Sequence, residues 1–287
     1  ETGGAVGGAG GILGNRYPVV TGLLAVLMLA GFGFLQLPAG SGEGGYTAAL
    51  ERARGFFQQN PDLELGRRDR RLLGHDFVEA AEKAQALARE ANGAAPVFSP
   101  RIRQRTQERF ADLGQAVFDA RLAEYPAWRH GVGQAETPIQ NYVVHAFVHD
   151  GPFALFVSLV FFVVAGMTLE VTWGSAIFGS FCLLGILLPA ACFTLFGGRT
   201  DIPFSGASGL VAALLAAYTV RGIGGHFPVP GWLLLGAWAF VEVLFVRGIW
   251  VESAGEMPIA AHLSALALGA GAAAGIRMFG VETKLVE

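Results

Sequence analysis

The sequence predicts an all-α, polytopic membrane protein with six transmembrane helices and a soluble helical insert between the first and the second. Three observations carry that expectation. Of 287 residues, 53% are hydrophobic and only 15% charged, more apolar surface than one water-facing core can bury. Apolar stretches approaching the roughly 20 residues of helix that cross a hydrocarbon layer recur with short polar breaks. One segment, residues 38–140, interrupts the pattern and holds most of the arginines and glutamates.

The spans are Tyr17–Leu37, Phe153–Leu169, Gly174–Phe196, Gly206–Val220, Gly231–Phe245 and Pro258–Met278. Each must be helical because lipid offers backbone amides no partner. The fourth and fifth are short and count as spans because their neighbours require them. The first lies too far from the N-terminus, and lacks a small-residue cleavage site, for a cleaved signal peptide. Residues 1–16, glycine-rich from Gly3 to Gly14, are expected to be disordered. The organisation is therefore a tail (1–16), a first span (17–37), an extramembrane insert (38–140), a core of five spans (141–280) and a C-terminal tail (281–287).

Within the insert, Tyr46–Gln59, Asp69–Ala91 and Pro100–Tyr125 have helix-forming composition. Apolar residues recur at three- and four-residue spacing: Leu72, Phe77, Ala80, Ala84 and Leu87, then Phe110, Leu113, Val117 and Leu122. Asn92-Gly93 and the stretch from Pro96 to Pro100 separate the last two helices. The basic runs Arg67-Arg68-Asp69-Arg70-Arg71 and Arg101-Ile102-Arg103-Gln104-Arg105 are mixed with or followed by acids, which favours a solvated helix face over a headgroup patch. A net charge of -3 leaves no footprint for nucleic acid. Cys182 and Cys192 stand ten positions apart in one apolar segment, about 15 Å along a helix axis, and cannot pair within it; they read as small buried hydrophobes.

Short loops carry the orientation signal. With the N-terminus cytoplasmic, the inner segments hold Arg16, Arg221, Arg277 and Lys284, and the outer ones Arg199 and Arg247. That arrangement puts the insert outside. It also sends the fourth and sixth spans from outside to inside, so their N-terminal ends share one membrane surface. Ser208 follows Pro203 by five positions and His262 follows Pro258 by four, which sets each roughly 6 Å into its helix. Small residues allow the helices to touch: Ser208, Ala212 and Ala216 share one face of the fourth span, with Gly209 and Ala213 beside it, and His262, Ala265, Gly269 and Ala272 share one face of the sixth. A serine hydroxyl against an imidazole is a nucleophile with its base, and an oxyanion at the start of the fourth helix would meet unsatisfied N–H groups. Such small faces also occur in inert bundles, and a Gly-x-Ser-Gly string is weak by itself in a chain with 41 glycines. A histidine inside a span is costly and defaults to function, with a structural hydrogen bond as its rival. The same cost attaches to Glu242, which joins no constellation and reads as structural or gating.

Taken together, Gly206-Ala207-Ser208-Gly209-Leu210 through Ala217-Tyr218, Ala261-His262 with its small followers, His145-Ala146-Phe147-Val148-His149-Asp150-Gly151 and Glu170 make the chain resemble the rhomboid intramembrane serine proteases. That resemblance implies a rhomboid-like six-helix bundle with a long loop after the first helix and a serine–histidine dyad without an acid. It implies Ser208 and His262 as catalytic residues, Gly206, Gly209 and His149 as supporting ones, and an oxyanion site formed by Ser158 and the Ser208 N–H. The departures are specific. Where the family has a histidine and an asparagine on the second helix, this chain has Ala154 and Ser158. The aromatic four residues after the serine is Ala212. The tryptophan–arginine pair before the first histidine is Gln140-Asn141, while Trp128-Arg129 lies upstream.

The expected activity is serine-type endopeptidase cleavage in or near the transmembrane segments of other membrane proteins, in a bacterial inner membrane. No cofactor or metal is implied, since His145 and His149 at i, i+4 lack a third ligand. The partners expected are transmembrane substrates and the lipid bilayer. The alternative is a weakly active or inactive rhomboid-like protein that binds membrane clients; a transporter ranks third, because no inverted repeat is evident. The sequence leaves the oligomeric state open.

Overall fold

The computed structural model describes residues 17–36, 45–60, 63–92, 99–133, 137–196, 203–223, 229–246 and 258–279. The glycine-rich tail, Arg16, Arg199, Arg247 and Lys284 lie outside the described residues, as does the break around Gly93. The described residues form an all-helical bundle of apolar helices with a helical insert.

The apolar helices are α1 (Val19–Gly31, continued by a π-helical turn, Phe32–Gln36), α8 (Pro152–Trp173), α9 (Ser175–Phe196), α10 (Ser208–Gly222), α11 (Gly231–Val246) and α12 (Ile259–Met278). Four of these six stretches, Val19–Gln36, α8, α9 and α12, are long and apolar enough to cross a membrane, and α10 and α11 are shorter. Large apolar side chains face outward along them, among them Phe156, Leu183, Leu195, Trp232, Phe240 and Leu263. An apolar belt of that extent would not stay in water, and lipid is its solvent.

Helix α10 is the axis of the bundle. Every residue from Gly209 to Tyr218 is buried, and α8, α9, α11 and α12 pack around it. Its fifteen residues rise about 22 Å, short of the roughly 30 Å hydrocarbon layer. A helix shielded from lipid on all sides can be short, because its ends meet protein rather than acyl chains. Close approach on α9 comes from Gly185, where a Cβ would meet Leu210 Cδ1 at 2.9 Å, and from Pro189, whose Cβ would lie 2.8 Å from one on Gly209.

The N-terminus of α1 is tied to the end of α8 by Glu170. Its Oε1 accepts from the Val20 N–H (2.9 Å) and the Ser175 hydroxyl (2.6 Å). Its Oε2 accepts from the Thr21 N–H (2.8 Å) and hydroxyl (2.8 Å). A carboxylate buried among apolar helices is tolerable only with such partners. Here it also satisfies donors at the start of α1 that have no intrahelical acceptor.

The insert comprises α2 (Gly45–Gln59), α3 (Arg67–Leu73), α4 (His75–Asn92), α5 (Pro100–Glu124) and α6 (Pro126–His130). It has a core of its own, built by Ala49, Leu50, Ala53, Phe57, Leu73, Val78, Ala81, Phe110 and Val117. The single helix expected over Asp69–Ala91 is two helices. Gly74 has φ +92, which breaks the ladder, and the Arg54 guanidinium caps the end of α3 by donating to the Leu73 carbonyl at 3.0 and 2.8 Å. The break shifts the helical phase, so Val78 and Ala81 face inward while Ala80, Ala84 and Leu87 are exposed. Arg101, Arg103 and Arg105 are exposed. Arg70 pairs with Glu82 at 2.6 Å across α3 and α4, an exposed pair of little energetic weight.

Between insert and bundle, a short helix α7 (Asn141–Val144) runs into a 3-10 turn, His145–Phe147. This segment meets the loop that leads to Ser208 through the His145 carbonyl, which accepts from the Gly206 N–H.

Candidate active site

Ser208 is the first residue of α10, not a position one turn inside a helix as the spacing from Pro203 suggests. The backbone from Pro203 to Ala207 is non-helical, and Gly206 has φ +93, a conformation that glycine adopts without strain. The Ser208 N–H is therefore among the helix-start donors that lack an intrahelical acceptor. Three backbone bonds hold the loop: Phe204 and Val132 exchange N–H donors at 2.9 and 3.0 Å, and the Gly206 N–H donates to the His145 carbonyl at 2.8 Å.

His262 is the fourth residue of α12 and is buried. Its Nε2 lies 3.2 Å from Ser208 Oγ. When Nε2 is the unprotonated nitrogen, the serine hydroxyl donates to it and Nδ1 carries the proton. Nδ1 has no hydrogen-bond partner among the described residues. Rings rather than an acid orient this imidazole: Trp238 of α11 stands edge-on at 5.3 Å between centroids (interplanar angle 83°), and Phe204 at 6.4 Å (76°). The helices can come this close because Gly269 lies against the Ala213 carbonyl of α10, where any Cβ would collide with it. The buried face of α12 runs His262, Ala265, Gly269, Ala273; Ala272, expected on it, is only half-buried.

Residues 137–279, which contain both side chains and five of the six apolar helices, match the family model for the Rhomboid domain. The chain belongs to the rhomboid family. No curated protein matches it. Rhomboids are in general intramembrane serine proteases.

Several features that depart from the family pattern have a structural counterpart. Ala212 leaves the imidazole without an aromatic from α10, and Trp238 stands against His262 from α11 instead. Sequence reasoning missed Trp238 because nothing in the spacing of one more aromatic in an apolar span marks it. The displaced Trp128-Arg129 pair is adjacent in space to where the pattern expects it: the buried Asn141 amide donates to the Arg129 and Gly131 carbonyls, both at 3.1 Å, and the Arg121 guanidinium stacks 3.7 Å from the centre of the Trp128 ring.

Of the other residues named from sequence, Gly206 has a positive φ and Gly209 lies against Pro189. His145 is buried, with Nδ1 3.0 Å from the Asn141 carbonyl and its ring 5.3 Å from that of Phe204. His149 is buried beside the Gly206 turn. Ser158 is half-buried on α8, as is Ala154, and no hydrogen bond joins Ser158 to Ser208. Glu242 lies one turn along α11 from Trp238 and accepts a hydrogen bond from its indole. Among the described residues no three His, Cys, Asp or Glu side chains cluster as metal ligands.

Proposed function

We propose that this rhomboid is a serine endopeptidase that hydrolyses peptide bonds in or near the transmembrane segments of other membrane proteins. The observation that carries the reading is the 3.2 Å approach of His262 Nε2 to Ser208 Oγ, within hydrogen-bond reach for a nucleophile and its base. Ser208 Oγ attacks the scissile carbonyl while Nε2 takes the hydroxyl proton. The carbonyl oxygen becomes an oxyanion next to the Ser208 N–H at the start of α10. As the tetrahedral species collapses, the imidazolium returns the proton to the departing amine and leaves an acyl-serine. Water then enters by the reverse sequence and regenerates the hydroxyl.

The substrate follows from the surroundings. A helix in lipid satisfies its own amides, so a segment must unwind locally to offer one to Ser208. α10 is too short to cross the layer, which supports a site within the membrane thickness, near the surface shared by the starts of α10 and α12. With the N-terminus cytoplasmic, that surface is the outer one and the insert lies on it; a bacterial inner membrane suits this arrangement.

A second reading, a rhomboid that binds membrane clients without cutting them, is favoured by Ala154, which offers no oxyanion donor, and by the absence of a hydrogen bond between Ser158 and Ser208. Reaction with a fluorophosphonate separates the two. The proteolytic reading expects the wild type in native lipid to be labelled, and Ser208→Ala and His262→Ala not to be. An unlabelled wild type favours client binding.

A further inference from the structure

Glu242 is a carboxyl group in the apolar helix α11, and the dyad chemistry makes no direct use of it. An acid in such a span is costly and is kept where it is bound to something. On α11 the side chains of Trp232, Leu233, Phe240 and Val243 face outward, whereas Glu242 is half-buried and Trp238 is only 4% exposed. Trp238 and Glu242 stand at i and i+4, on one face of the helix. Side chains lean towards a helix N-terminus, so Glu242 reaches back over Trp238, and its carboxyl accepts a hydrogen bond from the indole.

That bond sets where the ring points. An indole has one N–H, and a buried indole turns to keep that N–H paired. With the N–H directed at Glu242, the ring stands edge-on to His262, at 5.3 Å between centroids and 83° between planes. The imidazole depends on such a neighbour. Its Nδ1 has no hydrogen-bond partner among the described residues, so no described acid fixes it as one does in a serine–histidine–aspartate triad. Nor does α10 bring a ring, since the position four residues after the serine is Ala212. Trp238 is the support that α11 supplies, and Glu242 holds that support.

We propose that Glu242 is a positioning residue for the reaction, which acts on His262 through Trp238 and keeps the imidazole aimed at Ser208 Oγ. The inference rests on the proteolytic reading. Protonated or ionised, the carboxyl keeps an oxygen that accepts from the indole, so the role requires no proton transfer to or from Glu242. Two rival roles have different signatures. A gate on α11 would govern the entry of a transmembrane segment, and a purely structural acid would govern folding.

The test uses the full chain in native lipid, with Glu242→Leu, Glu242→Gln, Trp238→Phe and the double variant Glu242→Leu/Trp238→Phe. It measures kcat and KM on a transmembrane reporter, and the rate of labelling by a small fluorophosphonate, which needs the dyad but not the entry of a helix. Glu242→Leu leaves a buried indole N–H without its acceptor, and is expected to lose about tenfold in kcat and in labelling rate with KM nearly unchanged. Glu242→Gln, which keeps an acceptor oxygen, should recover most of both. Removing one partner of a buried hydrogen bond costs more than replacing both by apolar groups. Adding Trp238→Phe to Glu242→Leu should therefore raise both rates to the level of Trp238→Phe alone. Where Glu242→Leu fails to fold, Glu242→Met and its double with Trp238→Phe carry the same comparison. A folded Glu242→Leu that keeps both rates overturns the proposal, as do losses that multiply in the double variant. A loss confined to reporter cleavage also overturns it, in favour of a gate. A wild type that neither cleaves nor is labelled overturns the proteolytic reading and this proposal with it.

Discussion

Replacing Gly269 by alanine should separate the serine from the histidine without touching either. A Cβ at Gly269 would overlap the Ala213 carbonyl oxygen and stand 2.9 Å from both the Ala213 carbonyl carbon and the Ala216 Cβ. Carbon atoms settle at about 3.5 Å or more, and the carbonyl oxygen is overlapped more deeply still, so α10 and α12 must part by more than about 0.6 Å. The Ser208–His262 distance of 3.2 Å would then lengthen to roughly 3.8 Å or more, beyond a hydrogen bond. A misplacement approaching 1 Å costs on the order of 10²-fold in rate, and overpacking costs a further 1–3 kcal/mol or so in stability. Gly271 is the control, since it lies on the same helix with nothing within 4 Å of its Cβ position. Steady-state cleavage of a transmembrane reporter in proteoliposomes, with thermal unfolding alongside, reads both effects. A folded Gly269→Ala variant that cuts as fast as Gly271→Ala would refute the claim that close helix approach sets the dyad.

Other perturbations have equally specific outcomes. Glu170→Gln leaves one acceptor oxygen for four donors and should destabilise the bundle by about 2–3 kcal/mol, seen as a lower Tm, while the folded fraction keeps its reactivity towards a serine probe. Trp238→Phe should retain cleavage within about threefold, whereas Trp238→Ala, which removes the ring at 5.3 Å from His262, should lower kcat about tenfold. Burial holds His145 and His149 at about 4, below the ordinary 6.5. The unfolded chain therefore binds protons that the folded one refuses in this window, so stability is full above pH 6.5, falls as pH drops towards 4 and levels off below. Each histidine contributes on the order of 3 kcal/mol to that fall, and a Tm unchanged between pH 7.5 and 4.5 would contradict it.

Much of the fold can be read from the chain because lipid imposes one rule on every span: the apolar stretches must be helices, and helices they are. The approach of His262 to Ser208 was legible for a related reason, since a polar residue inside a span is costly and small residues around it mark where helices touch. What stayed hidden depends on backbone dihedrals and on side chains from distant segments. Gly74 divides α3 from α4 through a positive φ, and a lone glycine in a helical pattern does not announce that. Gly206 likewise delays the start of α10 until Ser208, which turns the serine's own N–H into a free donor. Trp238 stands against His262 across a helix–helix interface, and Asn141 meets the carbonyl of Arg129, 12 positions earlier. Neither pairing has a sequence spacing from which it could have been inferred.

The central claim is that Ser208 and His262 cut a membrane-embedded peptide bond. Mass analysis of a transmembrane reporter incubated with the pure protein in native lipid tests it most directly. The account predicts two fragments whose junction lies in or beside the reporter's apolar segment, and none with Ser208→Ala or His262→Ala. Intact reporter with the wild type, or the same fragments from the Ser208→Ala variant, would contradict it.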